Sequence, residues 1–111
     1  MRIVDCSSTN PPVVLIDLVV TRHFAMVEFL VERGAFDDTT PVVAHATAAL
    51  VTGKNILGIL PLHLAALAAS VTEPTLNLTP DQRGKELSLE EVRKAFTGFN
   101  TYVVMKAGAE I

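Results

Sequence analysis

The side chains best suited to chemistry in this chain are few and fall in short segments. They are Thr21-Arg22-His23, His45, Pro61-Leu62-His63 and Arg83-Gly84-Lys85. Histidine titrates close to neutral pH, so it can take or give a proton under physiological conditions. Arginine offers a planar fork of donors that suits phosphate oxygens, and lysine adds a mobile positive charge. Such a set fits an anionic ligand, above all a phosphate-bearing nucleotide, and proton transfer next to it.

The surrounding pattern says what must hold these residues. Val13–Val20 is β-branched and almost wholly apolar, the signature of a strand covered on both faces. A helix is expected over Phe24–Arg33, with Phe24, Val27, Leu30 and Val31 on one face and Gly34 as its stop. Pro41–Ala46 reads as a second strand. Thr47–Lys54 allows only a turn of helix and a loop broken at Gly53, and Asn55–Leu60 reads as a third strand. Pro61 suits a first helical position, because its missing N–H would be unpaired there. The run Leu62–Val71 is apolar nearly all round and is expected to be a buried helix, ended by Pro74. Thr75–Leu78 is a candidate fourth strand and Thr79–Leu87 a polar loop. Ser88 and Glu91 form a capping box that starts a helix over Leu89–Thr97. Gly98 breaks it, and Thr101–Lys106 is a last strand.

Strands alternating with helices imply an α/β sandwich with a mostly parallel sheet of about five strands. The link between the second and third strands is short for a parallel crossover. In such a sheet, ligands bind outside the carboxyl ends of the strands. Thr21-Arg22-His23 follows the first strand, His45 ends the second, Pro61-Leu62-His63 follows the third, and Arg83 and Lys85 follow the fourth. All three histidines therefore converge on one edge, whereas Lys54 precedes the third strand on the opposite edge. Helix starts near His23 and Pro61 add free N–H groups and positive dipole ends. Neither GxGxxG nor GxxxxGK[ST] occurs, which speaks against a dinucleotide cofactor or an NTPase; no cofactor is expected.

Composition narrows the classes further. A chain of 111 residues argues for one domain, 1–111, with residues 1–12 an irregular extension. Half of the residues are hydrophobic and 19% are charged, which excludes a disordered chain and suggests apolar surface buried against a partner as well as in a core. No apolar run is long enough to span a membrane. Asp5 and the polar Ser7–Pro12 occupy the place of a signal-peptide core, so a cytoplasmic location is expected. The single Cys6 permits neither an internal disulfide nor a cysteine zinc site within one chain. A net charge of −3 and the absence of Trp argue against binding long DNA or RNA.

Plainer readings stand beside each signal. A lone histidine after a strand is often incidental, and His63 on an apolar helix could be a core histidine. Arg83-Gly84-Lys85-Glu86 could be an ordinary solvated turn. The alanine-rich segment suits a core or a dimer interface better than a ligand wall. Zinc held by three histidines lacks a His-x-x-x-His pair or an adjacent carboxylate, so no metal site is expected.

The segments Val20-Thr21-Arg22-His23, Val42-Val43-Ala44-His45, Gly58-Ile59-Leu60-Pro61-Leu62-His63-Leu64-Ala65-Ala66 and Arg83-Gly84-Lys85-Glu86-Leu87-Ser88 appear in that order. They resemble a small stand-alone CRISPR-associated accessory family of type III systems, grouped with the ring nucleases. The resemblance runs from about Val13 to Val104, and its most specific parts are the Arg22-His23 pair and the Leu60-Pro61-Leu62-His63-Leu64-Ala65-Ala66 segment.

The resemblance implies a Rossmann-like, CARF-like homodimer that binds cyclic oligoadenylate, in particular cyclic tetra-adenylate, and linearises it to switch off effector nucleases. It implies a reaction without metal, in which a ribose 2′-OH attacks the adjacent phosphorus to give a 2′,3′-cyclic phosphate and a 5′-OH. Arg22 is then the expected charge stabiliser, with His23 and His63 the candidates for proton transfer. Thr21, His45, Pro61, Leu62, Arg83, Gly84 and Lys85 are the expected substrate-binding residues. A non-catalytic sponge for the same ligand and a structural subunit docking on a larger effector are the competing readings. Histidines beside Arg22 favour the enzyme, since binding alone needs only cations and backbone donors.

Overall fold

The computed structural model describes residues 14–108. The extension 1–12, its Cys6, and the expected strand start at Val13 lie outside the described residues. The strands are β1 (Leu18–Val20), β2 (Val42–Val43), β3 (Asn55–Gly58), β4 (Ser70–Leu76) and β5 (Phe96–Tyr102). The helices are α1 (Phe24–Glu32), α2 (Ala48–Val51), α3 (Leu62–Ala65) and α4 (Leu89–Ala95), with a 3₁₀ turn at Pro80–Gln82. One sheet holds the strands in the order β2-β1-β3-β4-β5. The first four run parallel, and β5 lies antiparallel to β4. The protein is thus α/β with a mostly parallel five-stranded sheet.

Side chains alternate across this sheet and build a core on each face. Val19 and Leu57 face Ala25, Phe29 and Leu30 of α1 and Val92 of α4. Leu18, Val20 and Ile56 face the other way, against Val51 of α2, Ala65 of α3 and Val71. Burial on both faces explains why β1 and β3 read as unbroken apolar runs. Each fully buried Leu, Ile, Val or Phe contributes roughly 1.5–3 kcal/mol. α1 ends as expected, with Gly34 at φ +72°. Arg33 closes that end by lying over the rings of Phe29 and Phe96.

The short β2–β3 connection does carry a parallel crossover. β2 and β3 flank β1, so the segment containing α2 crosses over β1 to reach its other side.

Three expected elements are corrected. The helix over Leu62–Val71 is only one turn, Leu62–Ala65, and the chain enters β4 at Ser70. An apolar run without a 3.6-residue stripe fits a helix or a buried strand equally well, and here the β-branched Val71 and Thr72 pair with Ile56 and Leu57. The Lys54 carbonyl accepts from the N–H groups of Ala69 and Ser70, which fixes the turn into the strand. Pro61 caps α3 rather than starting it.

The fourth strand is Ser70–Leu76 rather than Thr75–Leu78, so Pro74 lies inside it instead of ending a helix. β3 pairs with β4 only as far as Thr72, so beyond that point a residue without an N–H costs the β3 ladder nothing. The last strand is Phe96–Tyr102 rather than Thr101–Lys106, entered directly from α4. Phe96 stacks between Phe29 and Phe99, which pulls the chain into the sheet five residues early. Gly98, expected as a helix breaker, instead sits in β5 at φ +148°, opposite Thr75 and beside a register irregularity.

The capping box of Ser88 and Glu91 forms as expected, with Ser88 N–H donating to Glu91 Oε1 at 2.9 Å. Those bonds hold the Glu91 carboxyl below its ordinary range. Among the described residues, no helix is long and apolar enough to cross a membrane.

Candidate functional site

The carboxyl ends of β1, β3 and β4 open into a cavity of about 560 Å³. Arg22, His23, Gly58, Glu73, Thr75 and Arg83 contribute to its lining. A neighbouring cavity of about 400 Å³ lies against the polar loop and includes Gln82, Gly84, Lys85 and Glu86. Arg22 and His23 belong to both cavities and therefore stand between them.

β1 and β3 approach closely at this edge. Val20 and Gly58 pair in register, and only a residue without Cβ fits the approach. The strand order also reverses here, with β2 on one side of β1 and β3 on the other. Such a switch point leaves a crevice outside the strand ends.

The backbone of His23 is fixed from several directions. Its N–H donates to Thr21 Oγ1 at 3.2 Å. Its carbonyl accepts from Met26 N–H at 3.1 Å and Val27 N–H at 3.2 Å, which starts α1. The imidazole Nδ1 lies 2.9 Å from Glu86 Oε1. α1 has no side-chain cap and no acidic residue in its own first turn; a carboxylate reaches its N-cap residue from the loop instead, Glu86 at His23. Arg22 and Arg83 form no ion pair among the described residues, leaving both guanidinium groups available to a ligand.

The expected site residues divide into two groups. Thr21, Arg22, His23 and Arg83 meet at the larger cavity. Gly84 and Lys85 join Arg22 and His23 at the smaller one. His45, Pro61, Leu62 and His63 line neither cavity and are exposed. β2 stops at Val43, so Ala44 reaches the larger cavity while His45 does not. α3 is a single turn and carries His63 away from both cavities. Lys54, preceding β3, lies at the opposite edge as expected.

Two carboxylates of the site escaped the sequence reading. Glu73 was hidden in Val71-Thr72-Glu73-Pro74, which reads as the end of a helix but forms the middle of β4. It is half-buried, and its carboxylate has no hydrogen-bond or ion-pair partner among the described residues. Glu86 stood in view beside Arg83 and Lys85, but its partner lies 63 positions earlier in the chain, and spacing does not reveal such a pair. Among the described residues, no three His, Cys, Asp or Glu side chains converge as metal ligands. Exposed Phe24, Ile59 and Leu62 lie in the segments that leave β1 and β3 at this same edge.

No curated protein and no solved structure matches the chain significantly. Residues 18–105 match the family model described as "Putative CRISPR-associated protein (Cas_VVA1548)", and the chain belongs to that CRISPR-associated family.

Proposed function

We propose that this chain is a metal-independent ring nuclease with a Rossmann-like, CARF-like fold, which binds cyclic tetra-adenylate and opens its ring. One observation carries the reading: Arg22 and His23 stand side by side between two cavities at the carboxyl edge of the sheet, with Arg83 on the larger cavity and Lys85 on the smaller. Phosphate oxygens would meet Arg22, Arg83, Lys85 and the N-terminus of α1. As the ribose 2′-OH attacks, negative charge grows on the phosphorane oxygens, where Arg22 would stabilise it. His23 would serve proton transfer. Holding the 2′-OH in line with the leaving 5′ oxygen supplies further rate.

A ring of four nucleotides exceeds what one such cleft encloses, so a second copy of the chain would complete the site across a two-fold axis. The exposed Phe24, Ile59 and Leu62 support a contact at this edge. The alanine-rich segment is not the basis for that contact, since Ala65 and Ala68 are buried in the chain's own core. A cytoplasmic site of action fits a nucleotide messenger of type III immunity.

Binding without cleavage is the second reading. It is favoured by the fact that one histidine, His23, lines the cavities among three in the chain. The test is to incubate the purified chain with cyclic oligoadenylates of several ring sizes in EDTA and to resolve the products by chromatography. Linear products ending in a 2′,3′-cyclic phosphate and a 5′-OH are expected from the tetra-adenylate ring. A ring bound but intact after prolonged incubation would establish the sponge, and absence of binding would reject both readings.

A further inference from the structure

The geometry points to Glu86 as a positioning residue that fixes the tautomer of His23 and makes its Nε2 the general base of the reaction. This rests on the proposed ring cleavage for its chemical consequence, but not for the tautomer itself.

A carboxylate oxygen only accepts, so the 2.9 Å contact between His23 Nδ1 and Glu86 Oε1 requires the proton on Nδ1. Nε2 of the neutral ring then carries the lone pair, and it has no protein partner among the described residues. The remaining freedom of His23 is limited by its place as N-cap of α1 and by the bond of its N–H to Thr21 Oγ1. Glu86 comes from the loop that also carries Arg83 and Lys85, and it lines the smaller cavity with His23. The loop thus supplies cations for the ligand and the acceptor that orients the base. The contact is solvent-exposed, with side chains 57% and 63% accessible, so its value lies in orientation rather than in stability.

Nε2 takes the proton of the ribose 2′-OH while the 2′ oxygen forms a bond to phosphorus. The P–O5′ bond breaks, and the departing 5′ oxygen takes a proton from water. The imidazolium, stabilised by Glu86, returns its proton to solvent. The products are a 2′,3′-cyclic phosphate and a 5′-OH, with no net consumption of water.

The test has two arms. The first reads the His23 ring nitrogens by NMR in the ligand-free chain at about pH 9, where imidazole is neutral. The Nδ1–H form is expected in wild type and in Glu86→Gln, whose amide oxygen still accepts. Glu86→Ala is expected to move toward the Nε2–H form. The second arm measures single-turnover cleavage of cyclic tetra-adenylate at saturating protein. Glu86→Ala is expected to be roughly 10- to 100-fold slower, the loss typical of an orienting partner, without weaker binding of the anion. The same tautomer in wild type and Glu86→Ala would overturn the assignment. So would a wild-type chain that opens the ring but no faster than Glu86→Ala. If the tautomer moves but wild type leaves the ring intact, the orienting contact stands, while the base assignment and ring cleavage fall together.

Discussion

A Cβ placed on Gly58 would stand 2.3 Å from the carbonyl oxygen of Val20. The two residues pair in register where β1 and β3 end, and Gly58 lines the larger cavity. Its φ of +148° adds a conformation that L-residues rarely adopt. Gly58→Ala must therefore part the two central strands or distort its own backbone, at a cost of about 2–3 kcal/mol. Denaturant unfolding should show that loss. A variant as stable as wild type would mean that the strand ends move apart freely.

The acid response of the α1–α4 layer follows from Arg93. It donates to Glu32 through Nε and Nη2 at 2.8 Å each, and to Glu90 through Nη1 at 3.2 Å. The Arg93 hydrogen bond holds the Glu32 carboxyl below its ordinary range. A depressed carboxylate contributes stability above its unfolded pKa and loses it as pH falls through the folded value. Arg93→Ala should lower the melting temperature at about pH 7, and the gap from wild type should close toward about pH 3. A gap of equal size at both pH values would assign the effect to packing of the Arg93 stem instead.

The legible parts of the sequence were those governed by local rules. Gly34 stopped α1, Ser88 and Glu91 started α4, and the apolar runs of β1 and β3 announced strands covered on both faces. The illegible parts were settled by distant partners. Leu62–Val71 has no stripe to mark a helix, and Val71 becomes strand because Ile56 awaits it. Phe96 leaves α4 because Phe29 and Phe99 flank its ring. The site divides in the same way. Arg22 and His23 follow β1 directly and were readable, whereas placing His63 depended on the length of α3, and Glu86 on a contact across the fold.

Glu73 opposes the anion that the cleft would hold. It lines the larger cavity with Arg22 and Arg83, and no partner among the described residues offsets its charge. Glu73→Gln removes one negative charge while keeping shape. Binding of cyclic tetra-adenylate should tighten several-fold at low salt, and the gain should shrink as ionic strength rises. Weaker binding in Glu73→Gln would instead show that the carboxylate accepts a donor from the ligand.

Arg22 and Lys54 provide a matched test of place. Each carries one positive charge, but Arg22 stands between the cavities and Lys54 lies before β3 at the far edge. Arg22→Ala should slow single-turnover cleavage by about 10²–10³, the usual cost of one transition-state donor. Lys54→Ala should leave the rate within about threefold, since a charge beyond a Debye length is screened. Equal rates in the two variants would remove Arg22 from the chemical step.

Binding and chemistry should separate along the line between the loop and the start of α1. Arg83 and Lys85 sit in the loop, one on each cavity, and their charges would act on the whole of a bound anion rather than on one reacting bond. Arg83→Ala and Lys85→Ala should weaken binding in a salt-dependent way and slow the saturated single-turnover rate much less. His23→Ala removes one imidazole while leaving Arg22, Arg83 and Lys85 to attract a tetra-anion, so binding should survive while cleavage falls by about 10²-fold or more. The contrast is decisive because a structural role for His23 at the α1 N-cap would lower stability and binding together. Titrations of labelled ring at two salt concentrations, paired with quenched single-turnover assays, resolve the two patterns. If His23→Ala cleaves like wild type at saturation, the proton acceptor is another group, and the orienting contact from Glu86 has no part in the rate.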